Sequence, residues 1–259
     1  MPPMNHASDV DLSRRTALLS AAVGAAVVLT GCAAQAQTAR AGNVPAPAPL
    51  PPASGGASRH IVAPLPFNAS SLKGISDKLI VSHHDNNYAG AVKNLNRVEE
   101  ELARVTKDTP PFVVSGLKQS ELTYRNSATL HELYFGNLGG DGKASGAAEK
   151  ALADANGGFG RWEELFRATG AGLGGGSGWV IMSWDLHRNE ATTSWSGNHT
   201  QVLASSVPLL VMDMYEHAYQ MDYGAAAAKY IDAFFTNIQW DEVNRRLERA
   251  RKASAALRG

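Results

Sequence analysis

Apolar residues recur at three- and four-residue intervals through two long stretches of the chain. In 71–105, Val92, Leu95, Val98, Leu102 and Val105 keep that spacing, which predicts an amphipathic helix with a break near Ser82. Thr109-Pro110-Pro111 stops it. In 116–138, Leu117, Leu122, Leu130, Leu133 and Tyr134 recur on one face, and Gly139-Gly140 ends the element. Two helices with a short connection predict an antiparallel hairpin.

The pattern then loosens. Two short helices are expected at 145–155 and 159–168, separated by Asn156-Gly157-Gly158. Residues 178–184 and 191–195 read as a β-hairpin around His187-Arg188-Asn189, and 206–212 as a third strand. A helix at 225–237 and a terminal helix over 244–258 complete the series. The order implies an α+β fold: an N-terminal antiparallel helical hairpin, then a small three-stranded antiparallel sheet with surrounding helices. A boundary near residue 140 divides it into a helical-hairpin domain, 60–140, and an α+β domain, 141–259. Gly170-Ala171-Gly172-Leu173-Gly174-Gly175 has the letters of a dinucleotide turn. It runs from helix to strand, the reverse of the required context, and is rejected as a nucleotide site.

Residues 1–36 read as an export address rather than fold. Ser13-Arg14-Arg15 is a twin-arginine pattern ahead of an Ala-rich apolar segment too short and weak for a membrane span. Leu29-Thr30-Gly31-Cys32 resembles a lipobox, which predicts a lipid anchor at Cys32; Ala34-Gln35-Ala36 offers an ordinary cleavage site instead. A periplasmic location follows from either. The Pro/Ala/Gly-rich segment 37–59 is a linker that cannot bury a core. Because Cys32 is the chain's one cysteine, the folded part has no disulfide, thiolate metal site or cysteine nucleophile. With 24 basic and 24 acidic residues, the chain carries no electrostatic footprint for nucleic acid.

Candidate chemistry therefore rests on histidines and carboxylates. Asp213 and His217 stand four apart, a spacing that lets a carboxylate and an imidazole converge but that is commonest in surface or capping pairs. His83 and His84 on the first predicted helix, His131 on the second, and His199 ahead of the third strand complete the candidates. His83 and His131 lie on opposite arms of the hairpin and can meet. Three histidines with one aspartate form a mixed nitrogen/oxygen set that suits Fe, Mn or Zn.

Ser82-His83-His84-Asp85-Asn86-Asn87-Tyr88, followed by Lys93-Asn94-Leu95-Asn96, resembles the first-helix signature of the iron/manganese superoxide dismutases. Leu130-His131-Glu132-Leu133-Tyr134-Phe135 resembles their second-helix ligand segment. Gly176-Ser177-Gly178-Trp179 matches their entry to the sheet, and Asp213-Met214-Tyr215-Glu216-His217-Ala218-Tyr219 their Asp-x-Trp-Glu-His-Ala-Tyr motif. Phe234 to Trp240 is similar to their closing aromatic segment. The resemblance implies superoxide as substrate and one Fe or Mn per subunit, held by His83, His131, Asp213 and His217. It also implies a homodimer in which Glu216 reaches the partner's ligand histidine across a two-fold axis.

Departures from the family fall around those ligands. Ala91 stands where the family has its gateway tyrosine, and Asn87 where it has a further histidine. Gln220 replaces a tyrosine that bonds that histidine across the dimer, so Asn87 and Gln220 are expected to form a neutral pair. Tyr215 replaces the motif tryptophan. Of the two places from which a glutamine normally bonds metal-bound solvent, Ser127 holds one and His199 the other, which makes His199 the expected substitute. Tyr88, three residues before Ala91, is the candidate to cover the missing gateway hydroxyl. With that shell altered, the competing reading is an exported metal-binding protein of the same fold with little or no dismutase activity.

Overall fold

Buried side chains from the helical hairpin and from the sheet meet in one hydrophobic core in the computed structural model, which describes residues 60–258. The export segment, Cys32 and the linker lie outside the described residues.

The first long helical stretch starts at α1 (Asp77–Ser82), capped by the Ser76 hydroxyl accepting from the Leu79 amide, with Asp77 in the first turn. No break follows Ser82. The chain passes through a π-helical segment, His83–Tyr88, directly into α2 (Ala89–Leu102). An extra residue in that turn sets the buried pair His83 and Tyr88 five apart. α3 (Pro111–Gly136) begins earlier than the periodicity suggests, because a proline that ends one helix is equally suited to the first position of the next. Tyr88 bonds Glu132 while Arg125 bonds Glu99, so partners advance along α2 as they retreat along α3: the hairpin is antiparallel, as expected.

Beyond the hairpin come α4 (Gly146–Asn156) and α5 (Phe159–Ala171), then strands β1 (Trp179–Asp185), β2 (Glu190–Ser196) and β3 (Ser206–Asp213). The sheet is antiparallel in the order β2-β1-β3, with β1 buried nearly end to end because it is central and covered. The hairpin turn is the expected one, with Asp185 accepting from the amides of His187 and Arg188 and Asn189 at φ 59°. α6 (Gln220–Tyr223), α7 (Ala227–Thr236) and α8 (Trp240–Arg258) follow, the last starting before the expected 244. Among the described residues no helix is long and apolar enough to cross a membrane.

Arg246 of α8 ties the layers together. Its guanidinium donates to the Leu133 carbonyl of α3 at 3.1 Å, to the Leu209 carbonyl of β3 at 3.0 Å and to Glu242 at 2.8 Å. Burial, with Arg245 and Arg249 nearby, pulls its pKa down to about 10, so it remains charged at neutral pH. Gly136 makes room for it, since a Cβ there would stand 2.5 Å from Arg246 Nη2.

Candidate metal centre

β3 ends at Asp213, which pairs with Trp179 at the start of β1. The Asp213 side chain then accepts from the Tyr215 amide at 2.8 Å, a local turn that folds the chain back. His217 sits on the short 3₁₀ segment Glu216–Ala218, not on an α-helix, and the fold-back puts its ring against the same carboxylate. His83 arrives from the π-helical segment and His131 from α3.

Three imidazoles converge on one oxygen. The Nε2 atoms of His83, His217 and His131 lie 3.1, 3.2 and 3.6 Å from Asp213 Oδ2. The four candidate ligand atoms lie within 4.8 Å of one another, and the 3.1 to 3.6 Å separations from Asp213 Oδ2 are those that bonds of about 2.0–2.2 Å to a common ion would produce. His83, His131 and Asp213 are fully buried, and His217 is about three-quarters so.

Hydrogen bonding and burial prepare these groups to bind a cation. His131 Nδ1 donates to the Ser127 carbonyl at 2.7 Å, which leaves Nε2 with its lone pair facing the cluster. That Nε2 is buried and has no hydrogen-bond partner, a costly arrangement unless an ion takes the lone pair. Burial pushes the His131 pKa down to about 3 and also lowers that of His83, so both are neutral at pH 7. Burial opposes ionisation of Asp213, but His217 and His83 outweigh it and hold the carboxyl well below its usual range. At His217 burial likewise works against charge, and the attraction of Asp213 prevails and raises the pKa. With His83 and His131 neutral, the charge of the buried carboxylate is met by a proton on His217 or by a small cation that displaces that proton. The donor set fits Fe or Mn.

A second layer surrounds the ligands. Trp179 Nε1 donates to His199 Nδ1 at 3.0 Å, which places the proton of a neutral His199 on Nε2. His199 stacks on Tyr215 with centroids 4.9 Å apart, and Tyr215 stacks on His217 at 5.3 Å. Burial and the charge of Asp213 push the Tyr215 hydroxyl up to about 12 against the opposing bond to Ser177, so it stays protonated. Asn126 of α3 holds the His199 carbonyl at 2.7 Å and pins this loop over the site.

A cavity of about 350 Å³ reaches the cluster from the surface, with His131, His217, His199, Ser127 and Ala91 in its wall. Tyr88 is not in that wall, which corrects the expectation that it covers the gateway position. Its hydroxyl accepts from the Ala63 amide and donates to Glu132, both at 2.9 Å, and fastens the segment entering the domain. A long side chain three residues from Ala91 goes where its hydroxyl is bonded, and here those partners lie away from the cavity. The cavity has another tyrosine, Tyr124 of α3, which the sequence reading passed over. A signal was present: Tyr124 precedes His131 by seven residues, two helical turns on one face.

The model of the iron/manganese superoxide dismutase C-terminal domain matches residues 144–246. A superoxide dismutase [Fe] of Cupriavidus metallidurans is 45% identical over 188 residues, covering 72% of this chain and 95% of the relative. One from Aquifex aeolicus, also named superoxide dismutase [Fe], is 36% identical over 73% of this chain and 91% of its own length. A superoxide dismutase [Mn] 1 of Halobacterium salinarum is 31% identical over 74% of this chain and 97% of the relative. Taken with the ligand geometry and the α+β fold, these likenesses mean that the chain belongs to the iron/manganese superoxide dismutase family.

Proposed function

We propose that the chain is a superoxide dismutase whose single Fe or Mn ion is held by His83, His131, Asp213 and His217. The observation that carries the reading is the convergence of three Nε2 atoms on Asp213 Oδ2 in a buried site. When bound, the metal supplies the one-electron chemistry that turns two superoxide ions into dioxygen and hydrogen peroxide. The protein's residues do the rest. The Ser127 carbonyl orients His131, and the Tyr215 amide orients Asp213. With its proton placed by Trp179, His199 offers an N–H donor to solvent or substrate entering the cavity.

In the same reading the protein acts in the periplasm after twin-arginine export, tethered through Cys32 and the 37–59 linker. It works as a homodimer joined near Glu216. Supporting this is the exposure of Glu216, Gln220 and Met221 on the segment that carries His217, a surface suited to a two-fold contact.

Ala91 in the cavity wall is the observation that favours a metal-holding protein without turnover. The two readings separate in one assay: superoxide dismutation by the full chain after its Fe, Mn and Zn are quantified. Turnover proportional to bound Fe or Mn, lost in His217→Ala and reduced in His199→Ala at equal metal content, is expected. A fully metallated chain that leaves superoxide untouched would sink the dismutase reading.

A further inference from the structure

The cavity that leads to the ligands has unlike walls. On the α2 side are Gly90, Ala91 and Asn94, with Asn86 and Asn87 of the π-helical segment before them, and a Cβ added at Gly90 would meet nothing within 4 Å. No bulky side chain of α2 closes the passage at that level. On the α3 side stands Tyr124, half-buried, on the face of His131 and about 10 Å away at 1.5 Å per residue. His131, at the inner end, is only 1% exposed. Tyr124 therefore lines the passage two helical turns out from His131.

Proton chemistry selects the same residue. Dismutation takes two superoxide ions and two protons; one ion loses an electron to become dioxygen, the other gains it, and both protons go to the peroxide. The groups in the wall that bear a proton on oxygen or on an imidazole are Thr123, Tyr124, Ser127, His131, His199 and His217. His131 and His217 are ligands in the proposed site. Since His199 Nδ1 is occupied by the Trp179 N–H, its one proton is on Nε2, and losing it would leave an imidazolate. It can donate a hydrogen bond but is a poor proton source. Of the three hydroxyls, a phenol is the most acidic.

We infer that Tyr124 is the gate of this channel and a proton donor to the reduced substrate, supplied from α3 where α2 has only Ala91. The inference rests on the dismutase reading of the site. In the step assigned to it, the phenol O–H breaks, the proton passes to a peroxide oxygen, and solvent reprotonates the phenolate. The electrons come from the superoxide pair.

Two variants of the full chain, loaded with iron to equal content, test it. Tyr124→Phe keeps the ring and removes the proton, while Tyr124→Ala removes the gate. Azide association, followed by the visible absorption of the ferric site, reads the channel without turnover. The expected result is azide association about fivefold faster in Tyr124→Ala and within about twofold of the parent in Tyr124→Phe. Saturating superoxide turnover should fall about tenfold or more in Tyr124→Phe, and Ala91→Tyr added to it should restore part of the loss. Parental azide kinetics and parental turnover in both variants would overturn the inference. If Tyr124→Ala takes up no iron, the near-isosteric Tyr124→Phe decides alone, and parental turnover there refutes the donor. An iron-loaded parent with no turnover refutes the dismutase reading instead, while its azide kinetics against Tyr124→Ala still decide the gate.

Discussion

Replacing Asp213 by Asn keeps the shape of the group at the meeting point of three imidazoles and removes its charge. The carboxylate oxygen lies 3.1 to 3.6 Å from all three Nε2 atoms, so it carries the negative charge of the set. For unit charges about 4 Å apart in a partly polarisable interior, the attraction is on the order of 4 kcal/mol, or roughly a thousandfold in metal affinity. Consider a free metal concentration about a thousand times the parent's dissociation constant. The parent is then stabilised by about 4 kcal/mol, whereas the variant gains only about 0.4 kcal/mol. For a domain of this size, a difference near 4 kcal/mol corresponds to roughly 7–15 °C in melting temperature. The assay is thermal unfolding of each protein with and without added Mn, comparing increments so that any effect of the substitution on the metal-free fold cancels. Asp185→Asn, in the exposed hairpin turn, serves as control and should keep the parental increment. An increment in Asp213→Asn within a degree or two of the parent's would show that the carboxylate does not hold the metal, and the site assignment would fall.

Tyr88→Phe should leave metal content and turnover near parental values while weakening the hold on Ala63 by about 1 kcal/mol, read as faster amide exchange at residues 61–63. Gly136→Ala should cost about 1–3 kcal/mol by denaturant unfolding, because its Cβ collides with a guanidinium that cannot move without breaking bonds to Leu133 and Leu209. As pH falls, the metal-free protein should lose stability between about 6.5 and about 3. His131, pushed down to about 3, stays neutral in the fold while the unfolded chain takes up protons, so stability declines across that window and not above it. Melting temperatures that stay flat from pH 7 to pH 4 would contradict this.

How much of the site was legible varies with the kind of information each residue carries. His83, His131, Asp213 and His217 belong to motifs whose residue types and spacing are constrained by a common centre. The strands were marked by their aromatic and β-branched runs and by the Asp185 to Asn189 turn. The π-helical segment was not legible: one additional residue in a turn leaves the periodicity on either side almost unchanged. Pro111 was ambiguous for a local reason, since the same ring that terminates one helix initiates another. Tyr88 shows the limit of helical spacing, which says which face a side chain occupies but not where a hydroxyl finds its partners. That was decided by Ala63 and Glu132, distant in sequence from Tyr88.

The reach of Arg246 bears on the order in which a cell can make this protein. His83 and His131 leave the ribosome early, Asp213 and His217 some 80 residues or more after His131, and the arginine that clamps α3 against β3 later still. A growing chain thus presents a two-histidine helical hairpin while some 80 further residues are made. Ligand assembly is a late event, and metal selection falls to whichever compartment the finished chain occupies when α8 closes over the sheet. Truncated products, lacking the clamp and half of the ligands, would not retain an ion long enough to compete for it.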